Sequence, residues 1–267
     1  LKNLKDRDLR REGILVAEGR FLTERFLASG WQVSLLACLP HLEQEITALA
    51  EAYAAGGQAP CPVEVLTREK MEDLAGFPFH RGVLAAGPRP EFSTLPEFLT
   101  RQPDASRIVI CPDLSDAENL GSIIRSAAAF GWDAVVTGSR CTDPLSRRVL
   151  KVSMGGVFSL PLIEAGGKST AGISAADELK AAGFTLAGSA APGAHTDYHD
   201  NSSGQPFPLE DFTRPRKIAL VLGGEAYGLA PPWASRCDSF ITIPMAAAVD
   251  SLNVGVAAAI IMHRLQK

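Results

Sequence analysis

The sequence predicts an α/β protein, with a C-terminal α/β domain built on a mostly parallel sheet and a smaller α/β domain in front of it. Three observations predict it. From Arg107 onward, short β-branched runs alternate with helical patterns, the signature of strand–helix–strand units. Two of the apolar runs end abruptly in punctuation, one in Gly223-Gly224 and one in Pro244. The 267 residues, 46% hydrophobic and 21% charged, suffice for two modest domains with real cores.

In chain order, Ile14 to Ala17, Val33 to Ala37 and Val63 to Leu66 read as strands, with helices at Phe21 to Ala28 and Leu42 to Ala55. These make residues 1–90 a small unit of their own. The Pro-containing stretch Gly87 to Pro96 reads as a linker to a second domain at 100–267. There, strands are expected at Arg107 to Cys111, Asp133 to Gly138, Phe158 to Ile163, Phe184 to Gly188, Lys217 to Gly223 and Phe240 to Pro244. Helices are expected at Asn119 to Phe130, Pro144 to Val152, Ser174 to Ala182 and Leu252 to Leu265. Ser189 to Arg216, rich in Gly, Pro, Ser and Asp, is longer than structureless loops usually run, and reads as a functional or mobile segment.

Composition excludes several classes. No apolar run approaches the roughly 20 residues of a membrane span, and the start, Leu1 to Arg11, is charged where a signal peptide would be apolar. A soluble, cytoplasmic protein is expected. Five cysteines without a C-x-x-C pair point to free thiols in a reducing compartment, and no zinc site is expected. The net charge is −4, so any nucleic-acid site must be a local patch.

Three motifs could carry chemistry. In Pro112 to Trp132, Leu120, Ile123, Ile124 and Ala127 form a helical stripe toward the sheet, and the opposite stripe sets Arg125 among Ser122, Ser126 and Ala129. Small neighbours leave room for a ligand to reach Arg125; a plain surface arginine is the alternative. At Leu220 to Leu229 an apolar strand runs into Gly223, Gly224 and Glu225, and paired glycines at a strand's C-terminal end let a ligand approach the backbone. A simple glycine turn is the alternative. In Ile241 to Val256, Pro244 stops a strand and Ser251 or Asp250 reads as the N-cap of a terminal helix, with Asn253 in its first turn. That helix is apolar on both faces (Leu252, Val256, Ala259 and Ile260; Val254, Ala257, Ala258 and Ile261), so a homodimer interface or burial within the chain must cover it. Two further groups are weaker. His195, Asp197, His199 and Asp200 superficially resemble a metal site but lie in a Gly/Pro-rich loop, and Arg140, Arg147, Arg148 and Lys151 form either a phosphate-binding patch or a solvated helix face.

Taken together and in this order, the motifs resemble the SpoU/TrmH family of RNA ribose 2′-O-methyltransferases of the SPOUT superfamily. The matching residues are Asn119-Leu120-Gly121 with Arg125, Leu222-Gly223-Gly224-Glu225 with Gly228-Leu229, and Ile243-Pro244-Met245 with Ser251-Leu252-Asn253-Val254. More loosely, Glu12 to Glu18, Gly19-Arg20 and His80 to Ala85 resemble the family's substrate-binding domain. The resemblance implies a C-terminal trefoil-knot domain that binds S-adenosylmethionine in the knot, works as a homodimer through that domain, and acts on transfer or ribosomal RNA without a metal. It further implies a cofactor site lined by Gly223, Ile243 and Leu252, with Ser189, Leu222, Gly224 and Met245 beside them. Arg125, oriented by Glu225, would stabilise the developing alkoxide or hold the adjacent phosphate, and Asn119, Ser251 and Asn253 would fix the pocket. The family usually has a glycine within the loop Ala246 to Ala248, a serine at Gly255 and often a glycine at Ala226. A non-catalytic RNA-binding protein that keeps the fold is the alternative reading. A dinucleotide-dependent oxidoreductase is disfavoured by the missing G-x-G-x-x-G pattern.

Overall fold

A computed structural model describes residues 5–76, 79, 81–165, 173–192, 205–224, 228–246 and 251–266. In chain order its elements are α1 (Asp6–Arg11), β1 (Ile14–Glu18), α2 (Arg20–Ala28), β2 (Leu35–Cys38), α3 (Glu43–Ala55), β3 (Val63–Val65), α4 (Arg68–Ala75), β4 (Val83–Pro88) and α5 (Leu95–Arg101). Then follow β5 (Arg107–Cys111), α6 (Ala117–Ala129), β6 (Ala134–Thr137), α7 (Arg147–Val152), β7 (Leu162–Glu164), α8 (Ser174–Ala181), β8 (Thr185–Ala190), β9 (Phe207–Pro208), β10 (Ile218–Val221), α9 (Pro231–Ala234), β11 (Ser239–Thr242) and α10 (Val254–Arg264). The chain forms two compact units, Leu1–Glu91 with Leu145–Ser159, and Phe92–Pro144 with Leu160–Lys267.

The first unit is built on a four-stranded sheet of order β1-β4-β2-β3, in which β4 runs antiparallel to both β1 and β2. The expected linker is therefore corrected at both ends, since Gly87 and Pro88 close β4 while Leu95 and Pro96 open α5. Gly87 pairs with Leu15 of β1, and it is glycine for a steric reason: a Cβ there would lie 2.1 Å from the Gln32 carbonyl oxygen. The segment 145–159 belongs to this unit, where Phe158 stacks on Phe26 at 5.3 Å. Phe158 thus sits in a 3-10 turn, Gly156–Phe158, and the strand expected from Phe158 shrinks to β7. Gly155 in the left-handed region on one side and Pro161 on the other stop strand pairing there.

In the second unit the seven strands follow the order β7-β6-β5-β10-β8-β11-β9, and every pairing is parallel. Near-continuous apolar strands such as Ile-Ala-Leu-Val in β10, fully buried, are what a parallel sheet covered on both faces requires. Ile108, Ile110, Val136 and Val221 pack with Phe98 of α5, Leu179 of α8 and Trp233 of α9 in one core cluster. The predicted stripe Leu120, Ile123, Ile124 and Ala127 of α6 is fully buried, and α10 packs against α6. The end of α10 is pinned where Trp132 Nε1 donates to the Met262 carbonyl at 3.4 Å. The long segment expected as a loop is shorter than its sequence suggested: its start belongs to β8, and β9 with buried Leu209 and Phe212 lies within it.

Candidate active site

Parallel pairing brings the C-terminal ends of the strands to one edge of the sheet, where open α/β folds bind ligands. Two cavities lie there, on either side of the glycine loop that leaves β10. The first, about 290 Å³, is lined by Ser189 and Ala190 of β8, by Gly223, Gly224 and Gly228 after β10, by Ile243 and Met245 after β11, and by Ser251, Leu252 and Asn253 ahead of α10. The second, about 580 Å³, shares Gly223, Gly224 and Gly228 and is completed by Pro112 to Asp116 after β5, Asn119 of α6, Arg140 after β6, and Leu222.

The shared glycines are held by close backbone packing. Gly224 and Gly228 exchange backbone hydrogen bonds of 3.1 and 3.0 Å. A Cβ on Gly223 would stand 2.4 Å from the Gly228 carbonyl carbon and 2.6 Å from Leu229 N, a collision with backbone that no side-chain movement relieves. The glycine therefore first admits the chain's own loop, and so shapes the wall that both cavities share.

The two asparagines of the motifs meet. Asn253 Nδ2 donates to Asn119 Oδ1 at 2.8 Å, while Asn253 Oδ1 accepts from the backbone of Gly255 and Val256 at 2.9 and 3.2 Å. Asn253 is thus the N-cap of α10, which corrects the expectation that Ser251 or Asp250 would cap it. Asn119 is buried, with its own N–H bonded to Asp116, the N-cap of α6. These contacts lock the starts of two helices together across 134 residues of chain. Gly255 permits the approach, for a Cβ there would lie 3.2 Å from Ser122 Cβ.

Of the sequence-predicted residues, Ser189, Gly223, Gly224, Ile243, Met245, Ser251, Leu252 and Asn253 line one cavity, and Leu222 and Asn119 line its neighbour. Arg125 is exposed on α6, outside both linings, one turn beyond Ser122. Glu225, Ala226, His80, Ala247, Ala248, Asp250 and the His195–Asp200 group lie outside the described residues. Sequence reading missed Asp113, Ser115 and Asp116 as cavity residues; their position directly after a parallel strand was the available signal. The basic patch does not stand as a free surface. Arg140 pairs with Asp113 at 2.8 Å, whereas Arg147, in the other unit, binds Asp6 at 2.9 Å and Glu18 at 3.4 Å and donates to the Ala75 carbonyl.

All five cysteines are free thiols. Burial pushes the Cys237 thiol up to about 12 and that of Cys111 well above its ordinary value, so neither is a nucleophile at neutral pH. Among the described residues no group of His, Cys, Asp and Glu is placed to hold a metal ion, and no helix is long and apolar enough to cross a membrane.

A parallel sheet with helices on both faces, and ligand-sized cavities where its strands end, defines a small-molecule-binding α/β domain of the kind that holds a nucleoside cofactor beside its substrate. The sequence model of the SpoU rRNA Methylase family matches residues 106–263. A Staphylococcus haemolyticus protein assigned to the TrmH family of tRNA/rRNA methyltransferases is 34% identical over 208 residues, 77% of each chain. An rRNA methyltransferase from Sinorhizobium meliloti, solved with AdoMet bound, superimposes with a TM-score of 0.77 at 21% identity, covering 98% of this chain and 90% of that one. A structure described as an RNA 2′-O ribose methyltransferase gives 0.72 at 23% identity, covering 98% and 92%. The chain belongs to the SpoU/TrmH family of RNA methyltransferases, whose methyl donor is S-adenosylmethionine.

Proposed function

We propose that the protein transfers a methyl group from S-adenosylmethionine to a ribose 2′-hydroxyl of transfer or ribosomal RNA, in the cytoplasm, as a homodimer of knotted C-terminal domains at 100–267, with residues 1–90 as the RNA substrate-binding domain. The observation that carries this is the first cavity: eight residues from four separate stretches of chain, seven of them in the motifs and Ser189 implied by the resemblance, line one hollow at the C-terminal sheet edge.

The lining suits the cofactor. Three glycines line the hollow without side chains to fill it, Ile243, Leu252 and Ile261 offer apolar walls for a flat purine and a thioether, and Ser189, Ser251 and Asn253 supply the few polar anchors. Bound there, the cofactor would supply an electrophilic sulfonium methyl for transfer to the ribose oxygen, with its thioether as the leaving group and the hydroxyl proton passing to a nearby acceptor. The chain's task is to set the line of attack and exclude water. The Asn119–Asn253 bond holds the walls of the two cavities in register. Arg125 carries a guanidinium, a poor general base, and serves instead as a fixed positive charge for the forming alkoxide or the adjacent phosphate. Glu225 orients it.

The dimer is supported by α10, whose apolar Val256 and Ile260 are 50% and 40% exposed, one turn apart on the face away from buried Ala258, Ile261 and Met262. A second copy laid on that stripe lies close to Arg125, because Ser122, one turn away, already abuts Gly255. The knot is supported by the order β5-β10-β8-β11, with the cavity enclosed by the segments that follow β8, β10 and β11.

The test is incubation of the purified chain with labelled S-adenosylmethionine and unmodified transfer and ribosomal RNA transcripts, then nuclease digestion and mass spectrometry. Label in 2′-O-methylnucleosides is expected. Label in methylated bases alone, or none, contradicts the reading.

A further inference from the structure

We infer that the second cavity is the seat of the RNA strand and that Arg140 is its phosphate-binding residue, held ready by Asp113, which RNA displaces. This rests on the reading of the first cavity as the methyl-donor site. The two cavities share Gly223, Gly224 and Gly228 in their linings, so the second adjoins the donor site. Of the four basic residues from Arg140 to Lys151, only Arg140 lines this hollow. A guanidinium fork matches the paired oxygens of a phosphodiester, as it does those of a carboxylate.

The Arg140–Asp113 pair is not what holds these loops together. Its side chains are 58% and 44% exposed, and such a pair adds little to stability. The same two loops are already joined by Thr142 N donating to the Leu114 carbonyl at 2.8 Å, Leu114 N to Cys141 Sγ at 3.3 Å, and Gly138 packed against the Pro112 carbonyl. The ion pair is redundant as a brace and suits a latch: Asp113 occupies the guanidinium until a phosphate takes its place. The other carboxylate in the lining, Asp116, is committed to the α6 N-terminus, where it accepts from Glu118 N and Asn119 N at 2.8 Å each.

The experiment uses the full chain with pooled unmodified tRNA and rRNA transcripts, measuring RNA KM, kcat, the salt dependence of RNA binding and, separately, S-adenosylmethionine affinity and the melting temperature. Arg140→Ala is expected to raise the RNA KM about tenfold, to change kcat less than twofold, and to reduce the slope of log K against log salt by about 0.7, the loss of roughly one phosphate contact. Arg140→Lys should recover part of the loss. Asp113→Asn, which frees the guanidinium, should lower the RNA KM about threefold, an improvement that a structural brace would not give. Cofactor affinity and melting temperature should match the parent in all three. An RNA KM and salt slope insensitive to Arg140, or Asp113→Asn weakening RNA as much as Arg140→Ala, overturns the inference. Failure of the parent chain itself to bind S-adenosylmethionine overturns the reading beneath it, and the inference with it.

Discussion

The two units of the chain cover their sheets with different materials. In the N-terminal unit a charged cluster is partly buried: Arg147, 21% exposed, reaches Asp6 and Glu18, the latter only 13% exposed, at the end of the edge strand β1. In the C-terminal unit the ion pairs Arg140–Asp113, Lys180–Asp238 and Arg236–Asp177 have side chains at least 34% exposed, and the sheet packs on an apolar cluster that includes Ile108, Ile110, Val136, Leu186 and Val221. The difference follows from the pairing. A mixed sheet of four short strands leaves its turns at both edges, and ion pairs help fasten them. A parallel sheet is buried on both faces and sends its strand-ending loops to one side, which is where both cavities form.

The sharpest way to break this contrast is Arg147→Ala. It removes the ion-pair partner of Glu18 and leaves it only the weaker pull of Arg81 and Lys151, and a cost of about 2–3 kcal/mol to the N-terminal unit at pH 7.5 is expected. Burial already raises the pKa of Glu18, with Arg147 opposing that shift, so removal of the arginine raises it further. A raised carboxyl contributes stability that is present below its unfolded pKa and lost as pH climbs through the folded one. Thermal melts should therefore show the variant's deficit shrinking toward pH 4.5; a deficit independent of pH would remove the ion pair from the account.

A smaller effect is expected from Asn253→Ala, which removes the α10 cap and the link to Asn119 and should cost about 1–2 kcal/mol in the C-terminal unit. Asn253→Asp keeps the capping oxygen but loses the amide donor, so chemical denaturation of the two variants separates cap from link. Equal losses would mean that the cap is worth nothing, and no loss in Asn253→Asp would mean the same of the link. Smallest in stability is Ile260→Glu on the exposed stripe of α10, within about 0.5 kcal/mol. Its consequence should instead appear in sedimentation velocity, as conversion of dimer to monomer; an unchanged dimer would place the interface elsewhere.

Much of the C-terminal unit is legible in the sequence because its signals are local. The strand Arg107–Cys111 was expected where it lies, and the 3.6-residue stripe of α6 names its buried face residue by residue. The N-terminal unit was harder. Helix α4, Arg-Glu-Lys-Met-Glu-Asp-Leu-Ala, is mostly charged and buries Met71 and Ala75, so its helicity depends on packing rather than periodicity. Strand β4 ends in Gly-Pro, the usual mark of a loop, and is a strand because both residues pair across to β1, Gly87 being glycine where the Gln32 carbonyl leaves no room for a Cβ. For the site, residue types were legible and partnership was not. That Asn253 caps a helix while holding Asn119, or that Arg147 binds carboxylates 129 and 141 residues away, is decided by tertiary contact alone.

The most direct measurement is isothermal titration of S-adenosylmethionine into the parent chain and into Gly223→Val, whose added methyl groups must displace the Gly228–Leu229 backbone from the shared wall. Binding at one cofactor per chain in the parent, weakened at least ~100-fold in the variant, is the expected result. A folded parent that takes up no cofactor, or a variant that binds as tightly as its parent, would contradict the assignment of that cavity.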